Sequence, residues 1–365
     1  MKTGIIISAS PLNSPDILYA SGFNATDPFI FAICGREKSV YVPLLEYSRA
    51  TNSIKGGIGV FEFVGGSIKN TVRHILEKYP DVLWTVPADF PYYLAEFMKE
   101  NGACIKCPEG PLFHGRSVKS ADEIKKILKA TRLAEKGVRR AETIIADSSV
   151  DSKGRLVFNK KILSSEFLRM QIDLEIVCDD GLAEGTIASC GKHGAEPHNN
   201  GSGSIYAGQP IVVDVFPKLR TCGYWGDITR TFVKGRAPLN VRNAFLAVKE
   251  ARDFAKSIIR SGLKASDAYW SAVRILEKHG FKTGRNEKGD YGFFHSLGHG
   301  VGLEIHEDPR LSPKNDRPLE VGNVVTVEPG LYYPEWGGIR LEDTIVVKRN
   351  GCDTLTAYPT ILEIE

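Results

Sequence analysis

The sequence predicts an α+β protein of two domains, and three observations carry that prediction. At 365 residues the chain exceeds one small core and falls short of three. Residues 1–115 alternate short apolar strands with helical stretches, the pattern of a small α/β domain. Residues 116–365 begin with two capped helices and pass into strands joined by tight turns with helices inserted, the order expected of an α+β domain.

Taken in order, FIFAICG and KSVYVPLL read as a strand pair and SIKNTVRHILEKY as an amphipathic helix. VLWTVPAD reads as a strand, and PYYLAEFMKENG as a helix ending at Gly102. No cluster of ligand-type residues falls in this part, so it is expected to shape a site or an interface. CPEGPLFHGRSVKS, rich in Pro, Gly and Ser, is the linker candidate. Ser120 at an N-cap with Glu123 three residues on is a capping box opening a long helix. SSEFLRMQIDLEIVCDDG repeats the device, with Ser165 or Ser164 as the cap and Gly181 as the stop. NVRNAFLAVKEARDFAKSIIRSG and SDAYWSAVRILEKHG are the helices inserted among the later strands.

Composition narrows the function classes. The 47 basic and 44 acidic side chains are interspersed and leave a net charge of +3, which offers nothing to nucleic acid or an anionic membrane. No apolar run approaches bilayer length, and the opening MKTGIIIS is broken at Ser8 and Pro11, so no secretory segment is expected. Seven scattered cysteines argue against a disulfide framework and suit a reducing, cytoplasmic setting. Cys104 and Cys107 form a C-x-x-C without a second pair at zinc-ribbon spacing, and read as ordinary strand residues.

Acids then appear where strands should be apolar. In QPIVVDVFPK, strand alternation puts Val212, Asp214 and Phe216 on one face. Glu328 follows Val325 and Val327, Glu342 shares a face with Arg340 while Asp343 takes the other, and Asp227 precedes Thr229 and Thr231. A buried carboxylate is costly unless paired, hydrogen-bonded or metal-bound, and Arg340 and Arg230 are the obvious spare cations. Four carboxylates carry about −4, which two dications balance and one does not, so a two-metal site with ions about 3.5–4 Å apart is expected. Oxygen-rich ligation with one imidazole and no thiolate points to Mn2+, Co2+ or Fe2+; affinity leaves Zn2+ open.

HSLGHGVGLEIHE, residues 295–307, holds three histidines. His295 and His299 have helical i,i+4 spacing, but Gly298, Gly300 and Gly302 make a poor helix and the alternation is that of a strand. That parity sets His299 with Val301, Leu303 and Ile305, opposite His306, so the two histidines are not expected to share an ion. The glycines imply close approach of another backbone or a substrate. His198, in a loop of small polar residues, is placed to touch substrate.

These residues resemble the metallopeptidase family of prolidases, Xaa-Pro aminopeptidases and methionine aminopeptidases, which has the pita-bread catalytic fold. The resemblance runs from Ser120 to the C-terminus through PH at 197–198, VVDV at 212–215, GDITRTF at 226–232, the histidine run, TVEPGLYYP at 326–334 and GGIRLEDTIVV at 337–347. The N-terminal α/β domain resembles that of prolidase, Xaa-Pro aminopeptidase and creatinase and favours the proline-specific branch. The resemblance implies Asp214, Asp227, His299, Glu328 and Glu342 as metal ligands, with Asp227 and Glu342 bridging two ions. It also implies a homodimer closing the site over short proline-containing peptides. The loop FPKLRTCGYWG looks longer than the usual hairpin and is expected to reshape the rim.

The chemistry so implied is hydrolysis of the bond before proline by a hydroxide bridging two dications. Glu328 is the candidate general base then acid, and His306 and His198 are candidate oxyanion donors. His295 would line the proline pocket, and Arg340 would orient Glu342 or meet substrate charge. An Xaa-Pro dipeptidase is the favoured reading. An Xaa-Pro aminopeptidase acting on longer peptides and a non-catalytic peptide-binding protein are the alternatives.

Overall fold

The computed structural model describes residues 2–287 and 289–365. The chain divides into two compact units, Met1–Arg116 and Ser117–Glu365.

In the first unit, strands β1 (Lys2–Ala9), β2 (Phe29–Cys34), β3 (Glu37–Val42), β4 (Gly59–Glu62), β5 (Val82–Thr85) and β6 (Cys104–Lys106) form one sheet, ordered β4-β3-β2-β1-β5-β6. The β1, β2 and β3 strands pair antiparallel, and β4, β5 and β6 join in parallel pairs. Period-two alternation fills both faces. Ile7, Phe29, Phe31 and Val40 pack with helices α1 (Pro15–Ser21) and α2 (Leu44–Ser53). Ile6, Ile30, Ala32 and Tyr41 pack with α3 (Ile68–Lys78) and α4 (Tyr92–Glu100). The sequence reading extended the KSVYVPLL strand too far. It stops at Val42, because Pro43 fixes φ at −62° just before α2.

The second unit is built twice on one plan, a sheet under a helix pair, antiparallel except where Glu363–Ile364 joins Ile228–Lys234 in parallel. Helices α5 (Ala121–Ala146) and α6 (Ser165–Val177) cover strands Ile187–Cys190, Ile211–Val215, Ile228–Lys234 and Glu363–Ile364. Helices α7 (Leu239–Ile258) and α8 (Ala265–Lys278) cover a five-stranded sheet whose order is Glu307–Leu311, Gly298–Gly300, Val324–Val327, Asp343–Lys348, Gly351–Thr354. Helix α5 opens on the complete Ser120/Glu123 capping box. Ser164, not Ser165, caps α6, whose last residue is Val177. Gly181 is not the stop. It opens a short strand where a Cβ would lie 2.5 Å from Ile176, and Asp180 takes the left-handed turn at φ 66°.

The helix-facing side of each sheet is apolar: Ile211, Val213 and Val215 under the first pair, Val325 and Val327 under the second. Asp214 and Glu328 fall on the opposite parity, away from both cores. Among the described residues no helix is long and apolar enough to cross a membrane.

Candidate metal centre

Within the second unit lies a cleft of about 790 Å3. Its wall includes Asp214, Asp227, His299, Glu328 and Glu342 together with His198, His295, His306 and Arg340, the residues singled out in the sequence. One ligand atom each from Asp227, His299 and Glu342 lie within 4.8 Å of one another, all three buried, close enough to share a metal ion.

Strand pairing brings them together. Asp214 is the next-to-last residue of one strand and pairs in register with Thr229 of the next, which starts just past Asp227. His299 sits at the centre of Gly298–Gly300, between two neighbours, and its backbone N–H donates to Thr326 Oγ1 at 3.1 Å. The flanking glycines admit that approach: a Cβ at Gly298 would lie 2.0 Å from the Thr326 carbonyl oxygen, and one at Gly300 2.3 Å from that of Asp308. The close partner implied by the glycines is therefore neighbouring backbone.

Hydrogen bonds aim the side chains. Thr229 Oγ1 donates to Glu342 at 2.7 Å, and Thr326 Oγ1 donates to Glu328 at 3.2 Å. His299 Nδ1 faces the Gly300 carbonyl at 3.2 Å, which places its N–H there and turns the Nε2 lone pair inward. Nε2 stands 3.2 Å from Glu328 and 3.8 Å from Asp227. A lone pair facing two carboxylates is repulsive unless a proton or a cation lies between them.

The charge balance points the same way. Burial, then Glu342, Asp214 and Glu328, raise Asp227 well above the usual carboxylate range; burial, then Glu328 and Asp214, do the same to Glu342. Burial works to raise Glu328 as well, but His299 beside it holds it down to about 2. Asp214 gives one oxygen to Arg340 at 2.6 Å, while its other oxygen is buried with no partner. A cluster with two acids whose ionisation is disfavoured by burial and by each other, an orphaned carboxylate oxygen and an inward imidazole lone pair fits divalent metal.

This arrangement predicts a proton count. Burial and the neighbouring carboxylates favour the protonated forms of Asp227 and Glu342, and a metal takes them as anions, so Mn2+ added to metal-free protein in weak buffer should acidify it. For the same reason the metal-free fold should lose stability as pH rises through those raised pKa values. Calorimetry in buffers of different ionisation enthalpy measures the release, and an unchanged proton count would contradict these protonation states.

Two expectations change. Regular strand ends at Gly300, the next residues turn back, and the His306 ring lies 4.4 Å from that of His299 at 83°. Strand parity therefore misplaced His306, because alternation holds only while the chain stays extended. Arg340 reaches Asp214, the Pro197 carbonyl, the Tyr332 hydroxyl and Thr229, not the Glu342 carboxylate. Asp343 belongs elsewhere: burial works to raise it, but Arg252, Arg230 and Lys256 outweigh burial and hold it below the usual range.

Four contributors carried no signal in sequence: Thr229, Thr326, Tyr332 and Arg310. The Tyr332 hydroxyl, fully buried and pushed up to about 12 by that burial, accepts from Arg340 at 3.0 Å and lies 3.0 Å from His295 Nε2. His295 Nδ1 meets the Ser296 carbonyl at 2.8 Å, so both ring nitrogens are engaged, and burial lowers its pKa and keeps it neutral. Arg310 lines the cleft with His306.

Comparison with known proteins assigns the family. The sequence model of metallopeptidase family M24 matches residues 125–349. The Xaa-Pro dipeptidase of Pyrococcus furiosus is 32% identical over 357 residues, covering 96% of this chain and 92% of that protein. The solved prolidase from Pyrococcus furiosus superposes with a TM-score of 0.82 at 28% identity, over 98% of this chain and 96% of that one. An X-Pro aminopeptidase from Thermotoga maritima shares the fold with a TM-score of 0.85 at 23% identity, over 100% of this chain and 98% of that one. The second unit thus has the pita-bread fold, preceded by an α/β N-terminal domain, and the chain is a metallopeptidase belonging to family M24.

Proposed function

We propose that this metallopeptidase hydrolyses the peptide bond preceding proline in Xaa-Pro dipeptides. The observation that carries the reading is the buried meeting of Asp227, His299 and Glu342 in a cleft roomy enough for a short peptide. The dipeptidase name and 32% identity of the Pyrococcus relative support it. Asp214, Asp227, His299, Glu328 and Glu342 would hold two dications. A donor set of four carboxylates and one imidazole favours Mn2+ over Co2+, Fe2+ or Zn2+.

What bound dications supply is an acidified water and an electrophilic partner for the scissile carbonyl. Glu328 takes the proton of the attacking water and returns it to the leaving imino nitrogen. Its low pKa comes from the His299 imidazole beside it, the group whose Nε2 would hold metal. Burial, then His299, lowers His306 to about 4, so it is a neutral imidazole that donates an N–H to the tetrahedral oxyanion, with His198 beside it on the wall. His295, both nitrogens occupied, forms a wall of the proline pocket against Phe294.

Arg310 favours the dipeptidase over the aminopeptidase reading. The guanidinium of Arg340 is taken up internally, whereas Arg310 on the cleft wall can meet the free carboxylate that an Xaa-Pro dipeptide carries next to its proline. The Mn2+-loaded protein should cleave Ala-Pro, and Arg310→Ala should raise KM for it about tenfold with less change in kcat. Cleavage of Ala-Pro-Ala but not Ala-Pro would establish the aminopeptidase instead. A protein that binds no metal and cleaves neither would leave peptide binding alone.

A further inference from the structure

We propose that Trp225 and the Lys119–Glu307 ion pair are positioning residues for His306, holding the turn that brings its imidazole against His299. The inference rests on the oxyanion role given to His306 above. It starts from an oddity of the chain path: His306 follows a glycine-bearing stretch with no regular structure, yet its ring meets His299 at 4.4 Å. A donor that stabilises a developing charge must be held to within a few tenths of an ångström, which such a turn does not achieve alone.

Trp225 grips the start of the turn. Its backbone N–H donates to the Gly302 carbonyl at 2.9 Å, and its indole Nε1–H donates to the Leu303 carbonyl at 3.1 Å in a buried contact. Trp225 is itself anchored, because a Cβ on the adjacent Gly226 would lie 2.3 Å from the backbone of α5. Lys119 grips the other end: its Nζ lies 2.5 Å from Glu307 Oε1, with side-chain exposures of only 1% and 7%. The Glu307 carboxylate folds over Gly302, where a Cβ would lie 2.2 Å from it, so both ends of the turn are tied together.

Neither Trp225 nor Lys119 lines the cleft, so each acts through His306 and not on substrate. A buried ion pair is a poor source of net stability, since apolar replacements often serve as well; here it supplies a fixed direction. Trp225 lies in the segment between Asp214 and Asp227, which in this way braces the histidine turn.

The test compares Trp225→Phe, Lys119→Met and Lys119→Arg, alone and combined with His306→Ala, in Mn2+-loaded protein acting on Ala-Pro. Trp225→Phe and Lys119→Met should each lower kcat about tenfold with KM and bound metal near wild type. Lys119→Arg should recover most of the loss. With His306→Ala already present, neither change should cost further kcat; losses that add in full would overturn the proposal. In 15N-histidine spectra of the metal-free protein, the His306 ring signals should shift in both variants while those of His279 stay. Unmoved His306 signals would also overturn it. If His306→Ala leaves kcat unchanged, the oxyanion role fails, and the ring signals alone then decide whether the turn is positioned. Trp225→Phe keeps the decision open should Lys119→Met fail to fold.

Discussion

Asp227→Asn is expected to release bound metal and lower kcat/KM by more than about 10^3-fold, roughly 4 kcal/mol of transition-state stabilisation. Asp227 belongs to the buried trio with His299 and Glu342 and is proposed as a metal ligand. The same substitution should make the metal-free protein more stable. Asp227 is driven up by burial and by Glu342, Asp214 and Glu328 around it, and an amide of equal size removes that repulsion. The expected gain is about 1–2 kcal/mol in alkaline buffer, where ionisation would otherwise be forced. Metal content by elemental analysis and thermal melts of metal-free protein check the two halves. A variant that keeps two equivalents of metal would sink the ligand assignment, and one that melts lower would sink the repulsion argument.

Arg340→Met is expected to destabilise the fold by about 3–5 kcal/mol, because it strands the Asp214 carboxylate beside the buried Asp227 and Glu342 and the partly buried Glu328. Arg340 is 3% exposed and also donates to the Pro197 carbonyl, the Tyr332 hydroxyl and Thr229. Arg340→Lys should recover little, since one ammonium cannot serve partners in four directions. His295 should feel the change through Tyr332, the hydroxyl common to both. Denaturant titration of metal-free protein measures the loss. A shift below about 1 kcal/mol would mean that Asp214 needs no guanidinium partner.

The acids were legible in the sequence because each breaks an apolar alternation, which needs no knowledge of the rest of the fold. Asp214 among valines and Glu328 after Val325 and Val327 are local contradictions, and the sheets resolve them by turning those positions away from the helix-covered cores. The capping box at Ser120 was legible for the same reason, since both partners lie within one turn. His306 was misplaced because parity arguments assume a continuing strand, and the strand ends at Gly300 under restraints from Trp225 and Lys119, far away in the chain. Thr229, Thr326 and Tyr332 carried no signal, because a hydroxyl on a strand looks the same whether or not it aims a carboxylate.

The sequence by itself determined which side chains carry charge into apolar strands, and hence the need for a dication. Its long motifs also resembled one metallopeptidase family. Tertiary structure alone decided their partners: Arg340 with Asp214 instead of Glu342, Asp343 with Arg230, and His306 against His299. The physical reason is range. Alternation, capping and burial cost act over a few residues and leave a local pattern, whereas hydrogen-bond and charge partners are chosen among groups 100 or more positions apart, as Arg340 and Asp214 are, once strand register has brought them together.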